Sequence, residues 1–157
     1  MICYTKKHKI PFEIDDEDYD LVSRYTWRPN SYGYLVTHIG KHGQASVHRL
    51  IMGNPVGMDV DHVDGNPKNN CKANLRLCTT GQNIMNSKPQ TGRSSKYKGV
   101  SWKKHAKSWE VYLNINGKRK HIGYFKNEDD AGRKYNEMAT LYYGSYANLN
   151  VIGETDK

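Results

Sequence analysis

The sequence lacks long apolar runs. Only 36% of its 157 residues are hydrophobic, and no stretch of about 18 apolar residues occurs. A membrane-spanning helix needs about 20 such residues, so we expect no membrane partner. The first residues, MICYTKKHKIPFEIDD, also lack the apolar segment of a secretory signal. We therefore expect a cytoplasmic protein that is not secreted.

Cysteine is also scarce, with three residues at positions 3, 71 and 78 and no CxxC pair. An odd number without paired spacing does not indicate a disulfide framework, and a reducing compartment is the default expectation. Zinc on Cys71, Cys78 and His62 is disfavoured, because structural zinc sites use paired ligand spacings.

Acidic residues are nearly absent from residues 96–126, which hold nine basic residues and one acid, Glu110. A basic patch this concentrated favours a polyanionic partner, most often nucleic acid. The alternative is a solvated surface that only aids solubility.

Asparagine, by contrast, is abundant in the stretch DVDHVDGNPKNNCKANLRLCTTGQNIMN, residues 59–86. MDVDH predicts a short strand, DGNPKNN a turn, NLRLCT a second strand and TTGQNIMNS a short helix. Residues 1–58 before it predict short strands and turns, with a short helix after Ser46.

The Asp61-His62 pair at the end of the first of these strands offers the parts for phosphodiester hydrolysis. Such hydrolysis needs a divalent ion to neutralise the phosphate and a base to activate water. Asp61 with a side-chain amide oxygen would hold Mg²⁺, and His62, which titrates near neutrality, is the candidate base. The alternative is that Asp61 only begins a turn.

The motifs VHRLIMG and VDHVDGNPKNNCKANLRLCTTGQNIMN resemble the HNH homing-type endonucleases of the ββα-metal fold, especially those of bacteriophages. The resemblance implies that Asp61 and Asn83 hold one Mg²⁺ or Mn²⁺ per active site. It also implies that His62 is the general base and that Asn74 is the motif residue that braces the loop. Asn at the third motif position resembles the phage nicking branch. His48, which also fits the family pattern, is either a packed helix residue or a base.

The last third of the chain has its own pattern. Residues 97–125 alternate as three antiparallel strands, and their Asn-Gly pair is a hairpin signal. A helix follows, which Asn127 caps and Gly144 ends. Three strands and one helix form a two-layer domain. Residues 88–96, rich in Pro, Gly, Ser and Lys, predict a linker before it.

Residues 97–150 resemble the Apetala-two/ethylene-response-factor DNA-binding domain of plants, through YKGV, KSWEVYL, IGYF and GSYANLN. That family lays a three-stranded sheet into the major groove. The resemblance implies a set of DNA-binding candidates: Lys98, Trp102, Lys103, Lys104, Arg119 and His121. Lysine contacts phosphate as a point charge, whereas arginine reads guanine. We therefore expect this sheet to position the protein on DNA more than to read the base sequence.

The sequence therefore predicts an α+β protein. It comprises residues 1–58, the ββα-metal motif at 59–87, the linker 88–96, the DNA-binding domain 97–150 and a tail 151–157. We expect a metal-dependent HNH endonuclease of homing type that nicks or cuts duplex DNA. We expect it to be phage-encoded, and we favour a monomer. The alternative is a non-enzymatic DNA-binding protein or regulator on an inactive HNH scaffold. RNA is disfavoured, since its deep, narrow major groove does not admit a sheet.

Overall fold

The computed structural model describes residues 1–40, 43–87, 92–115 and 117–153. The chain divides into two units, Met1–Thr80 and Gly81–Lys157, and mixes small sheets with few helices. Parts of the predicted linker 88–96, hairpin turn and tail 151–157 lie outside the described residues. Among the described residues, no helix has the length and apolar character to cross a membrane.

The described residues of the first unit form seven short strands and two short helices. The strands are β1 (Ile2–Tyr4), β2 (Pro11–Glu13), β3 (Arg28–Pro29), β4 (Leu35–His38), β5 (Gln44–Ser46), β6 (Asp59–His62) and β7 (Leu75–Cys78). The helices are α1 (Tyr19–Ser23) and α2 (Val47–Ile51), with 3-10 turns at Asp16–Asp18 and Lys72–Asn74. Antiparallel pairing gives three small sheets, β1-β2, β3-β4-β5 and β6-β7.

The core of the first unit fixes strand β2 in place. Alternation along β2 buries Phe12 between exposed neighbours, and Ile14 just beyond the strand is fully buried. Trp27 packs in the same cluster and donates its indole N–H to the Val22 carbonyl at 2.9 Å. Glu13 lies between the buried residues Phe12 and Ile14, so its backbone is held in place to pair with another segment.

Helix α3 (Thr80–Asn86) begins at the last residue of the first unit and continues into the second. The second unit then has β8 (Val100–Lys103), β9 (Ser108–Ile115), β10 (Lys118–Phe125) and helix α4 (Glu128–Tyr143), followed by a 3-10 turn at Gly144–Tyr146. The sheet is antiparallel with β9 in the centre. These are the three strands and the helix that the alternation of residues 97–125 and the caps of α4 predict.

The helix α4 begins and ends as its sequence indicates. The Asn127 side chain accepts from the backbone N–H groups of Asp129 and Asp130, at 2.8 and 3.2 Å. Gly144 ends the helix with a φ of +54°. Between these ends, α4 buries Ala131, Tyr135 and Ala139 against the sheet.

Gly99, just before β8, packs directly against the Tyr135 ring of α4. Its φ is +72°, and a Cβ placed there would lie 2.1 Å from the Tyr135 ring and 2.7 Å from the Tyr112 carbonyl oxygen. Tyr135 is 1% exposed, so the ring has no room to move away. Gly117 has a similar φ of +75°, but apart from its chain neighbours no described residue lies within 4 Å of its Cβ position.

We predict that Gly99→Ala lowers the free energy of unfolding of the second unit by about 3 kcal/mol or more, because overpacking adds to backbone strain. Gly117→Ala carries the strain alone and should lose only about 1 kcal/mol. Urea unfolding monitored by tryptophan fluorescence measures both. Equal losses in the two variants would contradict the close packing of Tyr135 on Gly99.

Candidate functional site

The Asp61-His62 pair lies at the end of β6, where β6 pairs with β7. Opposite residues are Asp61 with Arg76 and His62 with Leu75. Both members of the pair are buried, at 7% and 3% exposure. After His62 the chain leaves the strand, and the Val63 N–H donates to the Asn74 carbonyl at 2.9 Å. The end of β6 therefore holds two buried titratable side chains.

The His62 ring is held by Asn70. Its Nε2 lies 3.2 Å from the Asn70 Oδ1, and Asn70 is fully buried. With the Asn70 amide oxygen facing the ring, Nε2 is assigned as the protonated nitrogen, which leaves the basic lone pair on Nδ1. Among the described residues, the Asn70 Nδ2 has no hydrogen-bond partner. Burial lowers the pKa of His62 and outweighs the hydrogen bond to Asn70 and the charge of Asp64, which raise it. His62 is therefore neutral at pH 7.

Two further aromatic rings surround His62. The His48 ring, on α2, has its centroid 4.9 Å from that of His62, and the Tyr34 ring lies 5.8 Å from it. Burial, followed by the charges of His62 and Arg49, lowers the pKa of His48 to about 3. Its Nε2 lies 3.3 Å from the Ser46 hydroxyl oxygen. His48 is thus a neutral, packed neighbour of the candidate base. The sequence alone had left open whether His48 is a packed residue or a base.

Asp61 is engaged by an arginine. The Nε and NH2 groups of Arg76 lie 3.0 and 2.8 Å from the Asp61 Oδ2. This bond fixes the carboxylate in one orientation and neutralises it. Carboxylate and amide oxygens are the donors that Mg²⁺ prefers, so Asp61 suits a hard divalent ion. Among the described residues, no group of three His, Cys, Asp or Glu side chains forms a ready metal cluster.

The loop between β6 and β7 is braced by Asn74. Its Oδ1 accepts from the Asp64 N–H at 3.1 Å, and its Nδ2 donates to the Asp64 carboxylate at 2.9 Å. The same Nδ2 reaches the Asn69 carbonyl at 2.8 Å, and Asn69 donates its own side-chain N–H to Asp64 at 2.9 Å. The Asn74 side chain therefore stabilises the conformation of the loop through its hydrogen bonds to Asp64 and Asn69.

Asn83, the predicted second metal ligand, is half-buried on α3 and belongs to the second unit. Its pairing with Asp61 on one ion stays a prediction. The end of α3 is tied to the second unit by Lys98, whose Nζ donates to the carbonyls of Met85 and Ser87 at 2.6 and 2.5 Å. A cation at a helix C-terminus is favourable. The predicted DNA-binding residue Lys98 thus has its ammonium group directed to α3.

The other five predicted DNA-binding residues lie in three places. Lys103, Arg119 and His121 converge on one carboxylate, that of Glu110 in the central strand β9. Alternation along β8 places Trp102 on the other face, where its ring meets Trp109 at 5.1 Å. Lys104 is exposed just after β8. The structure therefore brings three of the six together and places Lys98 and Trp102 apart from them.

Two residues that matter here were not among the predicted site residues. Asn70 is one of many asparagines in its stretch, and only the fold shows that it alone is fully buried against His62. Glu110 stood out as the single acid in a basic window, and that isolation was the available signal.

Sequence comparison relates this chain to known proteins. Residues 46–85 match the family model described as HNH endonuclease. A protein of Acanthamoeba polyphaga mimivirus described as an uncharacterized HNH endonuclease is 33% identical over 142 residues, covering 87% of this chain and 72% of that protein. Protein 3.8 of Escherichia phage T7 is 38% identical over 65 residues, covering 41% of this chain and 54% of that protein. No solved structure gives a significant match.

We predict that His48 makes the first unit sensitive to acid. An unfolded His48 titrates at 6.5 but the folded one at about 3, so between these values the unfolded chain binds one proton more. Stability therefore falls as the pH is lowered through 6.5, by at most about 1.4 kcal/mol per pH unit from this residue.

Urea unfolding of the parent and of His48→Gln between pH 4 and 7 measures this contribution. The parent's free energy of unfolding should fall more steeply with acid than that of the variant. Parallel curves would show that His48 is not kept neutral by the fold.

Proposed function

Because the chain belongs to the HNH endonuclease family, we propose that it is a metal-dependent endonuclease that hydrolyses phosphodiester bonds in duplex DNA. The observation that supports this most is the neutral, buried His62. This residue follows Asp61 directly in the sequence, and Asn70 orients its ring. The homing type and action in the cytoplasm of a phage host belong to the same proposal, since the relatives come from a virus and a phage.

His62 accepts the proton of the attacking water at Nδ1. Its Nε2–H is donated to Asn70, so the lone pair is on the other nitrogen. Because burial keeps its pKa below the ordinary value, the ring is unprotonated before the attack. The charges of Asp64 and Asp61, which raise this pKa, stabilise the imidazolium that forms when the proton arrives.

Asp61 and Asn83 would hold one Mg²⁺ or Mn²⁺ through a carboxylate and an amide oxygen, the hard donors that such ions prefer. When bound, the ion stabilises negative charge on the phosphate and on the leaving oxygen. Arg76 keeps the Asp61 carboxylate in a fixed orientation through two contacts to Oδ2. Asn74 keeps the loop behind His62 in shape.

The sheet of the second unit supplies the duplex-binding surface in this proposal. Lys103, Arg119 and His121 share the sheet face opposite α4, and Lys104 is exposed beside it. A strand ribbon fits the major groove, and basic side chains neutralise phosphates. Since Lys98 and Trp102 have partners elsewhere, the proposed DNA contacts rest on the other four residues.

The ion pair of Asp61 with Arg76 favours one alternative. A carboxylate already neutralised by arginine has less need of a cation, and the scaffold would then serve a DNA-binding protein without nuclease activity. Both functions give salt-dependent DNA binding, with a slope near −0.9 per phosphate neutralised. Metal-dependent turnover separates them.

We predict metal-dependent nicking or cutting of supercoiled plasmid or phage DNA, which EDTA abolishes. His62→Ala should lower the rate about 100-fold or more, because general-base catalysis is lost. Asp61→Asn should do the same through the metal site. The matched control is His38→Ala, an exposed histidine on β4, which should cleave like the parent. Gel electrophoresis of the plasmid forms measures the rates.

Undiminished cleavage by His62→Ala would remove His62 from the role of base. Tight binding of both DNAs without cleavage under Mg²⁺ and Mn²⁺ would favour the binding protein.

We also predict that Asn70→Ala lowers the cleavage rate about 10- to 100-fold, since a misoriented base loses its approach to water. The control Lys68→Arg changes an exposed side chain of the same loop, keeps its charge and should have little effect. Nitrogen-15 NMR of the imidazole ring should show that the Nε2–H tautomer dominates in the parent and loses this preference in Asn70→Ala. An unchanged tautomer would contradict the positioning role.

A further inference from the structure

Glu110 lies at the centre of the basic sheet face. Its Oε2 is 2.6 Å from Arg119 NH2 and 3.1 Å from Lys103 Nζ, and its Oε1 is 3.2 Å from His121 Nδ1. The Ser101 hydroxyl adds a contact to Oε2 at 3.4 Å. Basic groups from the two outer strands, β8 and β10, therefore converge on one carboxylate of the central strand.

The position of Glu110 follows from the alternation of β9. Val111 and Leu113 are buried against α4, so Glu110 and Tyr112 point to the opposite face. The Glu110 side chain is only 12% exposed, because its basic partners cover it. The carboxylate thus occupies the place where a phosphate oxygen would bind these same partners.

Glu110 stays ionised in this setting. Burial raises its pKa, but the hydrogen bonds from Lys103 and His121 and the charge of Arg119 outweigh burial, and the pKa ends below its ordinary value. The Arg119 guanidinium is also stacked on the Tyr112 ring, 3.5 Å from its centroid, which limits where it can turn. A phosphate near this face therefore competes with a fixed negative charge for the same cations.

We propose that Glu110 is an internal competitor of DNA phosphate, which lowers the affinity of the sheet face for duplex DNA of any sequence. The inference rests on the proposed DNA binding by this face. With Lys103 and Arg119 bound to Glu110, the face gains less from neutralising phosphates, and the protein leaves non-target DNA more readily.

The test measures binding of a random-sequence duplex by fluorescence anisotropy, in EDTA and over a series of NaCl concentrations. Glu110→Gln keeps the size of the side chain and removes its charge. We expect it to bind about 10-fold more tightly than the parent at 0.1 M salt. We also expect the log–log salt slope to steepen by about 1, as one more cation becomes available to phosphate.

The matched control is Glu137→Gln on α4, where an exposed carboxylate pairs with Lys134 at 2.7 Å. It changes the net charge by the same amount away from the face, so it should alter the Kd less than twofold. Glu110→Asp retains the charge and should bind like the parent. Thermal unfolding shows whether each variant keeps the parent's fold.

Equal tightening in Glu110→Gln and Glu137→Gln would overturn the inference, because net charge alone would explain it. Weaker binding by Glu110→Gln would overturn it too, since Glu110 would then organise the basic groups for DNA. If the parent itself does not bind the duplex, the proposed DNA-binding face fails, which is a separate result.

Discussion

The orientation of His62 depends on how the loop between β6 and β7 is tied to β2. The Glu13 N–H donates to the Lys68 carbonyl and the Asn70 N–H to the Glu13 carbonyl, each at 2.8 Å. These bonds bury Asn70, whose side-chain oxygen then accepts from the His62 ring. If the loop moved, two buried polar groups would lose their partner, and each loss costs on the order of 1–3 kcal/mol. A strand near the start of the chain therefore sets the geometry of the candidate base.

The abundance of asparagine in this region has a physical explanation in the same loop. The Asp64 carboxylate accepts from the Asn66 backbone at 2.8 Å and from the side chains of Asn69 and Asn74 at 2.9 Å. An asparagine side chain both donates and accepts, so it closes short polar loops that have no apolar core. Asn69 and Asn74 share the Asp64 carboxylate, Asn66 accepts from the Lys68 N–H, and Asn70 bonds to His62.

Local rules in the sequence predicted the strands of residues 97–125, the caps of α4 and the strand that ends at His62, because alternation and capping act between near neighbours. They did not predict the contacts that join distant segments. The Asn70 amide meets His62 only because β2 holds the loop, and Lys98 binds the end of α3 through a fold contact. The basic pattern indicated nucleic acid, but not that Glu110 would gather three basic side chains.

Both proposed DNA-facing sites contain a shielded carboxylate, and the number of cations around each distinguishes their roles. Asp61, with a side chain 8% exposed, has the arginine contact of Arg76, so a divalent ion added there leaves a net positive charge for a phosphate. Glu110, at 12%, already meets Lys103, Arg119 and His121. It needs no ion, and it reduces the positive charge that those residues offer. In the proposed function, one carboxylate would therefore recruit a cation to DNA, and the other would restrain the cations already present.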